Sequence, residues 1–94
     1  MNGTSKIAAF LKENGVDIQY ATTDYYRYYD GFHAHRSYPV DVYRISNGMY
    51  ILAKQQGKPR YYLCEKPDMR SCKIIDFSQK HFIKRLQESD IFQK

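Results

Sequence analysis

Ser46-Asn47-Gly48 sits between two runs rich in β-branched and aromatic residues, 40–45 and 49–54, and constrains this chain more than any other feature. Asn-Gly is the preferred pair for a two-residue hairpin loop, because both positions tolerate the positive φ that a type I′ turn demands. The spacing predicts an antiparallel hairpin with Asn47 and Gly48 as its loop. Opposite positions then sum to 95, so Ile45 faces Tyr50, Tyr43 faces Leu52 and Asp41 faces Lys54. The other face pairs Arg44 with Ile51 and Val42 with Ala53. Both faces are partly apolar, which puts the hairpin inside a sheet rather than at its edge.

The flanking segments extend the pattern. Ile7, Phe10 and Leu11 recur at i, i+3 and i+4 in a helix over roughly 5–14, with Thr4 or Ser5 as N-cap and Asn14-Gly15 as the stop. Val16, Ile18 and Tyr20 then alternate with polar residues as a short strand does. Residues 21–38 fit a strand or a helical turn, and Asp30-Gly31 allows a hairpin of 24–29 with 32–38. Two more strands, 60–65 and 72–76, are joined by a turn at Lys66-Pro67-Asp68-Met69. Ser78 caps a closing helix over about 79–88, with Phe77 and Phe82 in hydrophobic-staple positions. The expected fold is α+β: an N-terminal helix, an antiparallel meander of about four to five strands, and a C-terminal helix packed on the sheet. With 94 residues and no Pro/Gly/Ser-rich linker, residues 1–94 are expected to form a single domain.

Several function classes are disfavoured. No apolar run approaches the roughly 18–20 residues that cross a bilayer, so no membrane partner is expected. The first residues, Met1-Asn2-Gly3-Thr4-Ser5-Lys6, lack the apolar region of a secretory signal, and a cytoplasmic location is expected. Cys64 and Cys72 are too few for a disulfide scaffold and are read as reduced thiols. His33 and His35 point to one side of a strand, but His81 and the cysteines add no diagnostic ligand spacing, so no metal and no cofactor is expected. Neither cysteine has a designated base, and no nucleophile elbow or Gly-rich phosphate loop occurs, so the chain is read as a non-enzyme.

Charge is distributed unevenly. Residues 1–47 are neutral overall, and the entire net +5 lies in 48–94. Lys54, Lys58, Arg60, Lys66, Arg70, Lys73, Lys80, Lys84 and Arg85 fall within 32 residues that contain only Glu65, Asp68 and Asp76 as acids. Such side chains on turns and a helix face can hold phosphates and release their counterions. Lys54, Lys58, Arg60, Lys73, Lys80, Lys84 and Arg85 are therefore the candidate nucleic-acid contacts, for RNA or DNA. Tyr50, Tyr61 and Tyr62, interleaved with them, either stack unpaired bases or fill the core.

A second segment, 25–38, is dense in Tyr, Arg and His. Rigid amphipathic rings bury area at low entropic cost, so Tyr25, Tyr26, Arg27, Tyr28, Tyr29 and Phe32 are candidate protein-interface residues, for a partner protein or a homodimer. The alternative is that the rings wrap the protein's own core.

The order helix, strands, helix is similar to that of double-stranded-RNA-binding domains, and the opening 6–15 looks like the first helix of many winged-helix domains. The first resemblance is one of topology: Ser78-Gln79-Lys80-His81-Phe82-Ile83-Lys84-Arg85 stands where those domains carry a Gly- and Ala-rich basic motif. It transfers no binding residues. Two readings follow: a small nucleic-acid-binding protein that works through its second-half cations, or an interaction or inhibitor module docking through 25–38.

Overall fold

Apolar residues at period two in the strands and period 3.6 at the two ends meet on one side of a sheet. The computed structural model describes residues 4–29, 31 and 35–89. Among them the order is α1 (Ser5–Glu13), β1 (Ile18–Tyr29), β2 (His35–Ile45), β3 (Tyr50–Lys54), β4 (Arg60–Cys64), β5 (Cys72–Asp76) and α2 (Gln79–Glu88). The strands form one antiparallel sheet in the order β1-β2-β3-β4-β5, the α+β arrangement expected from the sequence. The β2–β3 hairpin lies inside it, as its two-sided apolar pattern implied.

The hairpin register differs from expectation by one residue. Tyr43 pairs with Ile51, Val42 with Leu52 and Val40 with Lys54, while Ile45 donates its N–H to Met49 O at 3.0 Å. The loop therefore has three residues, Ser46-Asn47-Gly48, and only Gly48 takes a positive φ, at 90°. Ser46 is drawn out of the ladder by Asp17: its N–H donates to Asp17 O (2.9 Å) and its hydroxyl accepts from Asp17 N–H (3.0 Å). Because side chains alternate, the slip changes which residues share a face. Tyr43, Ile45, Ile51 and Ala53 point to the helices; Val40, Val42 and Leu52 point away.

On the helix side, Ile7 and Leu11 of α1 and Phe82 and Leu86 of α2 close over Tyr43, Ile45, Ile51, Tyr61, Leu63 and Ile74. The two helices are joined at their first turns. Gln79 Oε1 accepts from the N–H groups of Lys6 (2.9 Å) and Ile7 (3.2 Å), so a side chain of α2 caps α1. Ser78 Oγ accepts from His81 N–H at 3.1 Å and caps α2 as expected. The expected staple is not the observed packing. Phe82 is fully buried, with its ring 6.1 Å from that of Tyr61, whereas Phe77 is 59% exposed.

The opposite face carries no α-helix among the described residues, yet it holds a second core of Val40, Val42, Leu52, Tyr62 and Cys64. The segment 65–71 folds across it, and Tyr26, Tyr38, Tyr50, Met69 and Cys72 form the roof. Asp68 accepts from Ser71 N–H (3.1 Å) to fix the 3-10 turn Met69–Ser71, and the Tyr26 hydroxyl is hydrogen-bonded to the Met69 backbone. Of the segment 21–38, ambiguous in sequence, residues 21–29 and 35–38 are strand, within β1 and β2. The two strands pair with a register shift between Tyr20 and Thr22 and continue from Tyr25–Pro39 to Tyr29–His35 as a two-stranded ribbon past the last β2–β3 pair, Val40–Lys54.

Candidate anion-binding face

Pairing of β3 with β4 places Lys54 directly opposite Arg60 on the helix-free face. Like charges across a strand pair repel, and each of these two sits against an aromatic ring. Lys54 Nζ lies 5.1 Å from the centroid of Tyr38, and the Arg60 guanidinium lies 5.3 Å from that of Phe77. Cation–π contacts at such distances contribute about 0.5–1 kcal/mol at exposed sites without neutralising the charge. Phe77 arrives there because the last β4–β5 pair is Tyr61–Asp76, so the next residue lies beside Arg60. The result is a row of ring, cation, cation, ring across four strands' ends.

The β3–β4 loop completes a cleft of about 330 Å³, lined by Tyr38, Lys54, Gln56, Gly57 and Arg60. Lys58 contributes its carbonyl, which accepts from Lys54 Nζ at 3.5 Å. Gly57 has φ 71°, a conformation other residues resist, while a Cβ there would be in ordinary contact with Lys54 Nζ at 3.7 Å, so the backbone and not crowding favours glycine. Among the described residues no carboxylate forms an ion pair with Lys54, Lys58 or Arg60. Arg60 also bonds the hydroxyl of Tyr62, partly offsetting the rise that burial imposes on that phenol's pKa. The cleft is thus a cationic cradle with amide, ammonium and guanidinium donors, suited to a phosphate or carboxylate.

The seven candidate phosphate contacts divide. Lys54 and Arg60 line the cleft, and Lys58 lies in the loop beside it with its carbonyl bonded to Lys54. Lys80 is the second residue of α2, three residues after Phe77, in the helical turn whose Gln79 also binds the first turn of α1 at Lys6. Lys84 is exposed further along α2. Two others are committed elsewhere: Lys73 pairs with Glu65 at 3.1 Å, and Arg85 donates to Ile75 O at 3.0 Å and lies 4.0 Å from Asp76, fastening α2 to β5. His81 lies 3.9 Å from the same carboxylate.

The stacking candidates are corrected. Tyr61 and Tyr62 are 4% and 5% exposed and belong to the two cores, and Tyr50 packs half-buried against the second. Among the candidate interface residues, Tyr25 is 70% exposed, but Tyr26 stacks on Tyr38 (6.0 Å, 18°) and helps roof the core. The side chains of Arg27, Tyr28 and Tyr29, the whole of Phe32 and His33, and the His35 side chain lie outside the described residues. Phe77, Tyr38, Gln56 and Gly57 escaped the sequence reading. The β4–β5 register would have found Phe77, had the pairing Tyr61–Asp76 been countable through a seven-residue connection. The described residues contain no cluster of three metal-ligating side chains and no helix long and apolar enough to cross a membrane.

Comparison with known proteins returns no matching family model, no matching curated protein and no matching solved structure.

Proposed function

We propose that this protein binds nucleic acid without catalysing a reaction, holding backbone phosphates in the Lys54–Arg60 cleft, with Lys58 in the adjoining loop. The observation that supports it is the opposed, carboxylate-free pair Lys54 and Arg60. Two like charges held face to face are relieved by an anion between them, and a phosphodiester brings one at each nucleotide. Counterion release makes such binding steeply salt-dependent, with a slope of log K on log salt of about −0.7 to −0.9 per neutralised phosphate.

The test is fluorescence anisotropy with labelled single- and double-stranded oligonucleotides across a salt series, on the wild-type protein and on Lys54→Glu/Arg60→Glu. Saturable binding that weakens with salt, and is lost in the double variant, is the expected result. Equal binding by both proteins, or none by the wild type at low salt, overturns the proposal.

A second reading is favoured by one observation: β1 is a twelve-residue strand at the sheet's edge, and Tyr25 projects from it 70% exposed. Edge strands of this length are templates for a further strand, so a protein partner or a second copy would add there. Light scattering of the wild type and of Tyr25→Ala distinguishes it: a dimer lost in the variant supports the docking role, and a monomer at every concentration removes the second copy.

A further inference from the structure

Phe77 is an exposed ring on the helix-free face, placed where a cation-lined cleft begins. Its fractional exposure is 59%, and Ile75, two residues earlier on the same face, is 40% exposed. The ring takes no part in the core that α2 closes, to which the helix contributes Phe82, Ile83 and Leu86. Its position is nevertheless fixed. The Phe77 N–H donates to Asp76 Oδ1 at 2.8 Å, Ser78 caps α2, and the Arg60 guanidinium covers part of one ring face. Asp76 itself, paired with Tyr61, points to the helix side and is held there by Arg85 and His81, so its charge is directed away from the ring.

The other rings near the cations are already engaged. Tyr38 lies between Tyr26 and Lys54, and Tyr62 is buried. Tyr20 packs edge-on against Tyr43, on the helix side. Among the described residues Phe77, against Arg60 at the margin of the cleft, therefore has a ring face available to a ligand, and it stands one side chain away from the phosphate cradle, as base and phosphate stand in a nucleotide. A duplex keeps its bases stacked on one another and offers none to such a ring; an unpaired strand does.

We infer that Phe77 is a stacking platform for an unpaired base whose phosphate sits between Arg60 and Lys54, so that the ligand of this face is single-stranded nucleic acid. The inference rests on the phosphate-binding reading above and adds to it the class of strand. Because the ring is held before the ligand arrives, stacking costs little further ordering.

The test uses the full chain and a short single strand carrying one 2-aminopurine, beside a duplex of the same length. Binding of the single strand is expected to quench the 2-aminopurine, and the single strand is expected to bind more tightly than the duplex. Phe77→Ala and Phe77→Leu are each expected to lower single-strand affinity by about 5- to 150-fold, the range for one base–ring stack. Both are expected to abolish the quench and keep the wild-type salt slope, while Phe77→Trp restores affinity and quench. Circular dichroism establishes that each variant is folded. Unchanged affinity and quench in both variants, or equal wild-type affinity for duplex and single strand, overturns the stacking role and leaves the phosphate reading standing. Absence of salt-dependent binding by the wild type overturns both.

Discussion

Lys54 and Arg60 are cross-strand partners in β3 and β4, and each holds its charge against a ring instead of a carboxylate. Removing either cation relieves like-charge repulsion and also loses its cation–π contact, so the two effects oppose each other and the free protein's stability is expected to change by less than about 1 kcal/mol. Arg60→Ala is expected to weaken oligonucleotide binding and to lower the salt slope by about 1. Lys73→Ala, whose ammonium already pairs with exposed Glu65, is expected to change neither by a measurable amount. Salt-titrated anisotropy on the two variants checks both statements.

Gln79 binds two N–H groups at the start of α1 from the first turn of α2. Gln79→Ala is expected to destabilise the fold by about 1 kcal/mol, the usual cost of losing an N-terminal cap. Gln79→Glu is expected to retain the stability, since a carboxylate at a helix N-terminus interacts favourably with its dipole. Urea unfolding of the three proteins gives the comparison. Equal midpoints for wild type and Gln79→Ala would show that the contact contributes nothing.

Gly48 alone in its three-residue loop has a positive φ. Gly48→Ala is expected to cost about 1–2 kcal/mol, the steric penalty of the left-handed conformation, although no atom lies within 4 Å of where the Cβ would be. The open space separates backbone strain from crowding. A Gly48→Asn variant, with a side chain that tolerates this region, is expected to lose less than alanine in the same unfolding experiment.

The Cys64 thiol is pushed up to about 12 by burial, with smaller contributions from Cys72 and Asp68. The folded state therefore holds a proton that the unfolded chain, at an ordinary thiol value of 9.0, releases more readily. The stability this group contributes is present below about pH 9 and is lost as pH rises toward 12. Cys64→Val is expected to unfold at a higher pH than wild type in an alkaline titration followed by circular dichroism. An unshifted transition would assign the alkaline loss to other groups, such as Tyr61 and Tyr62, whose phenols are also raised by burial.

Local patterns in the sequence carried the two helices, the Ser78 cap, the meander and the interior position of the β2–β3 hairpin. The hairpin register was not legible, because Ser46 is held by Asp17, 29 residues away, and an Asn-Gly pair serves both two- and three-residue loops. The 21–38 segment was ambiguous for a similar reason: the strand character of 21–29 and 35–38 comes from pairing β1 with β2 and from Tyr26 packing over the second core. At the site, the cations were visible as residue types. What each one faces was not: Lys73 met Glu65 and Arg85 met Asp76 only through the fold, and Phe77 met Arg60 only through the β4–β5 register.

The most direct measurement is an amide-resolved NMR titration of the isotopically labelled protein with a short single-stranded oligonucleotide at low salt. The account predicts that the resonances that move belong to residues 54–60 and 76–80, that Arg60 Nε–H and the Lys54 backbone move most, and that added salt reverses the changes. Shifts confined to β1 around Tyr25, or to the Lys73–Glu65 pair, with the cleft unmoved, would contradict it.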